Sequence, residues 1–158
     1  RKIPRLPAAR GPLYPKGHKY GAGREKALQA AANSQFIQLL NGAGGCLFGA
    51  LMGVHRMPLF EWLNAAAGWE LDAEAYLRIG RNIQTARQAF NARENLPLKA
   101  PINPRALGLP PQTRGANRGR SVPLEELASL YWAEMGWDES SGKPPRAELA
   151  ALGLEPEE

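Results

Sequence analysis

The distribution of proline and glycine constrains the fold of this chain most strongly, because it leaves two long segments unable to form regular helices. Residues 1–23 contain four prolines and four glycines, and residues 96–121 contain five prolines and three glycines. Proline lacks a backbone donor and ends helices, while glycine favours turns. We therefore predict an extended connector over residues 1–23 and a long loop over residues 96–121.

The remaining segments carry apolar residues at helical spacing. The first runs over residues 24–41, where the apolar positions are Leu28, Ala31, Ala32, Phe36, Leu39 and Leu40. Asp72 is the predicted N-cap of the longest helix, and Ser121 that of a later one. No segment alternates apolar and polar residues as a strand would. We therefore predict an all-α fold, an irregular helical domain of about five to six helices over residues 24–158.

The composition indicates the compartment and the kinds of partner that the protein can have. Its 20 Lys and Arg exceed its 15 Asp and Glu, giving a net charge of +5, but much of the excess lies in the irregular segments. Solvated loops explain this at least as well as a nucleic-acid partner. A single cysteine suits a reducing compartment, and no apolar stretch has membrane-spanning length. We expect a cytoplasmic protein without membrane contact, and, since the chain starts at Arg1, a piece of a larger one.

The only cysteine lies in a glycine-rich stretch, residues 41–48, between two predicted helices. A thiol at the start of a helix is favoured as thiolate, the form that binds metal. A lone cysteine among apolar residues is, alternatively, a small buried hydrophobe without further function. One cysteine cannot complete a tetrathiolate site. If Cys46 binds metal, its fellow ligands lie on other polypeptide. His18 and His55 have no neighbours in sequence that would make them ligands or catalysts.

Several stretches in a fixed order resemble the carboxy-terminal region of the tungsten-containing aldehyde ferredoxin oxidoreductases. Residues 41–46, Asn-Gly-Ala-Gly-Gly-Cys, have the spacing of that family's Asp-x-x-Gly-Leu-Cys motif. Residues 87–93 resemble Arg-x-Phe-Asn-x-Arg with one extra residue before the Phe. The chain then continues with Gly-Trp-Asp at 136–138, Gly-Lys-Pro at 142–144 and Leu-Ala-Ala-Leu-Gly-Leu at 149–154. The resemblance covers most of residues 24–154.

The resemblance implies specific roles for this stretch. Cys46 would be the fourth thiolate ligand of a 4Fe-4S cluster, whose other three cysteines lie far upstream in the family and are absent here. Asn41, with the backbone at Gly44 and Gly45, would hold one of the two pterins that chelate tungsten or molybdenum. Both cofactors would require the missing amino-terminal part. Two departures from the motif stand out: Asn41 replaces an acidic residue and Gly45 replaces Leu.

The resemblance also implies the setting of the protein. The chain would be the carboxy-terminal part of an oxidoreductase acting on aldehydes or carboxylic acids, and inactive alone. Its partners would be the amino-terminal cofactor domain of the same protein and ferredoxin or an electron-transfer subunit, with homodimer assembly left open. No residue is assigned as a general acid or base. Two alternatives remain: a stand-alone basic helical module that binds nucleic acid, and an interaction domain with a buried, inert Cys46.

Overall fold

Helices and loops make up the computed structural model, which describes residues 21–48, 58–97 and 101–154. In these ranges five helices follow one another: α1 Arg24–Gly42, α2 Leu59–Ala67, α3 Ala73–Arg93, α4 Leu124–Glu134 and α5 Arg146–Ala151. The described residues contain no strand, and one isolated bridge joins Gln112 to Arg118 within the long loop. The all-α prediction is confirmed. No helix of the described ranges has the length and apolar character needed to cross a bilayer.

Local sequence signals place several helix ends. Asp72 caps α3, because its carboxylate accepts a 2.8 Å hydrogen bond from the backbone N–H of Ala75. Gly68 ends α2 with a φ of 67°, a left-handed conformation that glycine adopts without a Cβ penalty. Ser121 does not cap α4, so our prediction of that cap was wrong. That helix begins at Leu124 directly after Pro123, whose ring presets φ for a helical start.

The centre of the fold is the packing of α1 against α3. Tyr76 and Leu40 are fully buried there, and Phe60 of α2 stacks on the Tyr76 ring with centroids 5.1 Å apart. Asn64 accepts a 2.6 Å hydrogen bond from the Tyr76 hydroxyl and bonds the backbone of Leu71 in both directions. This arrangement holds α2 and the start of α3 around the carboxyl end of α1.

Gly80 is the point of closest approach between α1 and α3. A Cβ at this position would overlap the carbonyl oxygen of Gln35 and lie 2.7 Å from its carbonyl carbon. The two backbones therefore touch, and only glycine fits between them.

The second packing region lies between α1 and α4. Trp132, Met135 and Trp137 are buried against Ala31 of α1, and Tyr131 packs beside them. The helical spacing of apolar residues in this segment did not predict that Trp132 and Trp137 are buried. The Tyr131 hydroxyl donates to Ser34 at 3.1 Å, which fixes α4 across the middle of α1.

Polar contacts attach the carboxyl-terminal segment to α3. Arg81 donates to the backbone oxygen of Met135 at 2.7 Å and to Glu148 of α5 at 3.1 Å. Thr85 is fully buried and donates to the same Glu148 oxygen at 3.2 Å. These contacts leave Arg81 half-buried against α5.

Candidate functional site

The glycine-rich turn after α1 is held by backbone hydrogen bonds. Ala43 donates to the carbonyl of Leu39 at 2.9 Å, Gly44 to Asn41 at 3.0 Å and Gly45 to Leu40 at 2.8 Å. These bonds satisfy carbonyl groups that the end of a helix otherwise leaves without a partner. The position of Cys46 is thereby fixed relative to α1.

The two glycines next to Cys46 have different surroundings. Gly44 has a φ of 74° and open space where a Cβ would be, so its backbone is accessible from outside. Gly45 instead rests on Leu40, where a Cβ would lie 2.9 Å from Cγ and 3.0 Å from the backbone oxygen. The family resemblance implies that both glycines let a ligand approach the backbone closely. Packing within the fold explains the glycine at position 45, because a larger residue would collide with Leu40 of α1.

Cys46 is a free cysteine with an exposed side chain. It lies between the turn and two helical residues, of which Leu47 packs on the core near Tyr76 and Phe48 is 71% exposed. The structure therefore does not support the alternative in which Cys46 is buried among apolar side chains. The thiol and the exposed Phe48 ring are instead available to other polypeptide.

Asn41 lies in the last turn of α1 and is also exposed. Asn41, Gly44 and Cys46 thus belong to a single exposed turn at the carboxyl end of α1, which we call the cysteine turn (residues 41–46). The turn is seated on α3, since a Cβ on Gly42 would lie 3.1 Å from the Ile83 Cδ1 atom. These residues lie together because they are neighbours in the chain.

The cysteine turn offers one metal ligand and not a whole site. Among the residues that the structure describes, no group of three or more His, Cys, Asp or Glu side chains could hold a metal ion. His18 and His55 lie outside those residues. An exposed thiol beside an accessible glycine backbone suits a single bond to an iron–sulfur cluster. The remaining ligands would have to come from elsewhere.

One concave surface was missed by the sequence analysis. It lies between the long loop and the amino-terminal ends of α1 and α4, and Lys26, Arg105 and Arg120 line it. We had interpreted Arg105 and Arg120, which belong to the long loop, as solvated. The signal that could have found them is the absence of any acidic residue between Glu94 and Glu125.

The described residues form an all-α domain that presents its single cysteine on a fixed, exposed turn at the edge of its core. The chain belongs to the aldehyde ferredoxin oxidoreductase family, since residues 6–154 match the family description "Aldehyde ferredoxin oxidoreductase, domains 2 & 3". The resemblance stated from the motifs is confirmed.

Curated relatives carry the same family name. The chain is 36% identical over 132 residues to the tungsten-containing aldehyde ferredoxin oxidoreductase of Pyrococcus abyssi, a match covering 83% of this chain and 21% of that protein. The Pyrococcus horikoshii protein of the same name is 33% identical over 132 residues, with the same coverage. The Pyrococcus furiosus protein is 36% identical over 117 residues, which are 73% of this chain and 19% of the relative. The chain therefore spans about a fifth of the length of these relatives.

Proposed function

We propose that this chain is the part of a tungsten or molybdenum aldehyde ferredoxin oxidoreductase that supplies the last cysteine ligand of a 4Fe-4S cluster. The observation that carries the proposal is the exposed thiol of Cys46, the only cysteine of the chain, on a turn fixed by backbone hydrogen bonds. A 4Fe-4S cluster normally takes four thiolates. Three would come from polypeptide upstream, consistent with a match to about a fifth of each relative.

The cysteine turn would also form one wall of a pterin site. The accessible backbone at Gly44 lets a planar ligand approach closely, as no side chain stands in the way. The Asn41 side chain offers one acceptor oxygen and two donor hydrogens to such a ligand. Gly45 would contribute indirectly, by letting the turn lie against Leu40 and so fixing where Gly44 and Cys46 point.

The cofactors, when bound, supply the redox chemistry: two-electron exchange with an aldehyde or carboxylic acid, and one-electron transfer to ferredoxin or an electron-transfer subunit. The residues of this chain would orient the Cys46 ligand and shield the cluster from water. Leu47, packed on the core, anchors the residue next to Cys46. The exposed Phe48 ring would cover the cluster side of the interface once the upstream domain is in place, and exclusion of water tunes cluster potentials.

Two residues set this chain apart from the family's motif. Asn41 stands where the motif has Asp, so the side chain keeps an acceptor but carries no charge. Gly45 stands where the motif has Leu, which removes an apolar wall. We propose that these changes alter the hold on the pterin and the choice among aldehydes, carboxylic acids and thioesters.

The direct test removes the thiol in the full-length protein. Cys46→Ser should lower the iron content per protein and change the electron paramagnetic resonance spectrum of the reduced cluster, because one of four thiolates is lost. Ala43→Ser is the matched control, since it adds a hydroxyl to the same exposed turn without touching the thiol. The ligand assignment is wrong if Cys46→Ser and Ala43→Ser have the same iron content and spectrum as wild type.

A second test addresses the pterin. Asn41→Asp restores the acidic residue of the family's motif and should increase the pterin and metal retained by the full-length protein after extensive dialysis. Metal is measured by inductively coupled plasma mass spectrometry, and pterin by fluorescence after oxidation. Equal retention by wild type and Asn41→Asp would show that Asn41 does not hold the pterin. The assignment of Cys46 would not be affected.

Family membership gives no support to the stand-alone nucleic-acid module. That alternative predicts binding to DNA or RNA that weakens steeply with salt, as phosphate contacts release counterions. We expect flat, weak binding across a salt titration of the full-length protein.

A further inference from the structure

Helix α2 is apolar on two opposite sides. Its inner side packs on the core, where Leu59 is buried and Leu63 lies against the same cluster. On the other side Trp62, Ala65 and Ala66 are exposed, and their spacing of three and four residues places them together on the helix surface. A helix that is apolar all round is normally buried within a larger structure.

A second tryptophan, Trp69, extends this apolar surface past the end of α2. Its backbone N–H donates to the carbonyl of Asn64 at 3.1 Å, and the Asn64 side chain bonds the backbone of Leu71 in both directions. The backbone around Trp69 is therefore held in place, yet Trp69 is 51% exposed and Trp62 is 55% exposed. We call these four exposed residues the outer face of α2: Trp62, Ala65, Ala66 and Trp69.

The outer face belongs to the same region of the fold as the cysteine turn. Leu47, next to Cys46, packs against the buried cluster around Tyr76, as Leu63 of α2 does. The exposed Phe48 ring follows Leu47 directly. Polypeptide that reaches the Cys46 thiol from upstream, as the proposed function requires, therefore comes close to α2.

The size of the outer face favours an occupant from the same polypeptide. A tryptophan buries about 150–250 Å² of surface, so two half-exposed rings and two alanines leave on the order of 300 Å² uncovered. A stable complex of separate proteins buries about 800 Å² on each partner. A segment of the same chain loses less freedom on docking, so a smaller contact is sufficient. The match to 21% of the Pyrococcus abyssi relative leaves ample polypeptide for this role.

We propose that the outer face of α2 is a docking surface for the upstream polypeptide of the same protein, the part that carries the other cluster ligands. The proposal rests on the proposed function for the identity of that part. Docking at α2 would fix the orientation of Cys46 toward the cluster at a second point of contact. The exposed carboxylates of Glu61 and Glu70 would lie at the rim, since interfaces have an apolar centre and a polar edge.

Hydroxyl-radical footprinting with mass spectrometry tests whether the face is covered in the full-length protein. The chain contains its own standard, because Trp132 and Trp137 are buried, with exposed fractions of 6% and 4%. If the face is uncovered, Trp62 and Trp69 should be oxidised about tenfold faster than these two, in proportion to their exposed fractions. If the face is docked, all four tryptophans should react equally slowly. Fast oxidation of Trp62 and Trp69 would overturn the proposal.

A photo-cross-link identifies what covers the face. With p-benzoylphenylalanine in place of Trp62, irradiation of the full-length protein should join position 62 to a peptide upstream of Arg1 in the same polypeptide. A cross-link to a second copy, seen as a doubled mass on a denaturing gel, would make the face a dimer contact and overturn the proposal. A cross-link confined to residues 1–158, or none at all, would overturn it as well.

Ala65→Lys disturbs the docked face without disturbing α2 itself. Alanine and lysine are both good helix formers, and Ala65 is exposed in this chain. Beneath a docked apolar surface, however, the lysine would have to bury its charge. In the full-length protein it should raise the oxidation of Trp62 and Trp69 about tenfold, to the uncovered rate. Ala30→Lys, the same exchange at an exposed position of α1, should leave that oxidation unchanged, and equal oxidation in the two variants would contradict docking at α2.

These results can be separated from those for Cys46. Cys46→Ser leaves the outer face intact, so Trp62 and Trp69 should stay protected in that variant whatever its iron content. Full iron content in Cys46→Ser with both tryptophans protected would remove the cluster assignment and leave the docking surface standing. Loss of iron in Cys46→Ser together with fast oxidation of Trp62 and Trp69 in the wild-type protein would do the reverse.

Discussion

Replacing Gly80 by Ala tests the contact on which the packing of α1 and α3 depends. The added Cβ would lie 2.7 Å from the carbonyl carbon and 3.2 Å from the Cα atom of Gln35, and closer still to its oxygen. Carbon atoms prefer a separation of about 3.5–4.0 Å, so the helices must move apart by roughly 1 Å. The obstacle is backbone, which cannot rotate away as a side chain could.

The free-energy cost follows from two opposing effects. Overpacking a close-packed interior costs about 1–3 kcal/mol, and we take the upper end because Tyr76 and Leu40, both fully buried, lie in the same interface. Ala in place of Gly within a helix returns about 1 kcal/mol through its better helix propensity. The net local destabilisation of α1 and α3 is about 2 kcal/mol, or about 30-fold in an opening equilibrium.

Hydrogen exchange with mass spectrometry on the full-length protein measures this locally. Peptides from α1 and α3 should exchange about 30-fold faster in Gly80→Ala, where exchange follows the opening equilibrium. Gly42→Ala is the control, since its Cβ would meet only the end of the Ile83 side chain at 3.1 Å and should change exchange by about twofold or less. Equal protection in Gly80→Ala and wild type would refute the claim that the backbones touch at this point.

Three further changes test other contacts in the full-length protein by its apparent melting temperature. Gly142→Ala places a Cβ 2.5 Å from Cε2 of the Trp132 ring at a φ of 71°, and should destabilise the carboxyl-terminal segment by about 2 kcal/mol or more. Asn64→Ala removes the acceptor of the Tyr76 hydroxyl and should lower the melting temperature by about 2–4 °C, with Tyr76→Phe in that background adding little. The hydroxyl and backbone N–H groups of two serines, Ser140 and Ser141, donate to the Asp138 carboxylate and hold its pKa well below the usual range. The unfolded chain therefore binds the extra proton, so this stabilisation is present above about pH 4 and is lost as the pH falls further. Asp138→Asn should flatten that acid-side decline, and an unchanged pH profile would contradict the role of the turn.

The features that the sequence predicted well are local ones. The Asp72 cap depends on a few neighbouring residues, and the structure has it. The cysteine turn is also local, since α1 ends at Gly42 within one residue of the predicted boundary. Helical spacing and the absence of alternating residues were therefore sufficient for the fold class.

The missed features depend on contacts between residues far apart in the chain. Arg81 bonds Met135 and Glu148, which lie 54 and 67 residues later, so the sequence of α3 alone does not indicate these contacts. Trp132 is buried because α4 lies across α1 and because Gly142 passes directly over its ring. The concave surface lined by Lys26, Arg105 and Arg120 likewise forms only when the long loop meets the ends of two helices.

The contact between Gly45 and Leu40 makes these two positions dependent on each other. Leucine, the motif residue at position 45, needs volume that the Leu40 side chain already occupies. A single Gly45→Leu exchange would push the thiol away from its present location, and any change in iron or pterin content would then reflect displacement. The paired exchange of Gly45→Leu with Leu40→Ala removes the side-chain atoms of that collision and leaves only the contact with the backbone oxygen of residue 40, so swaps between this chain and its relatives should begin with the pair.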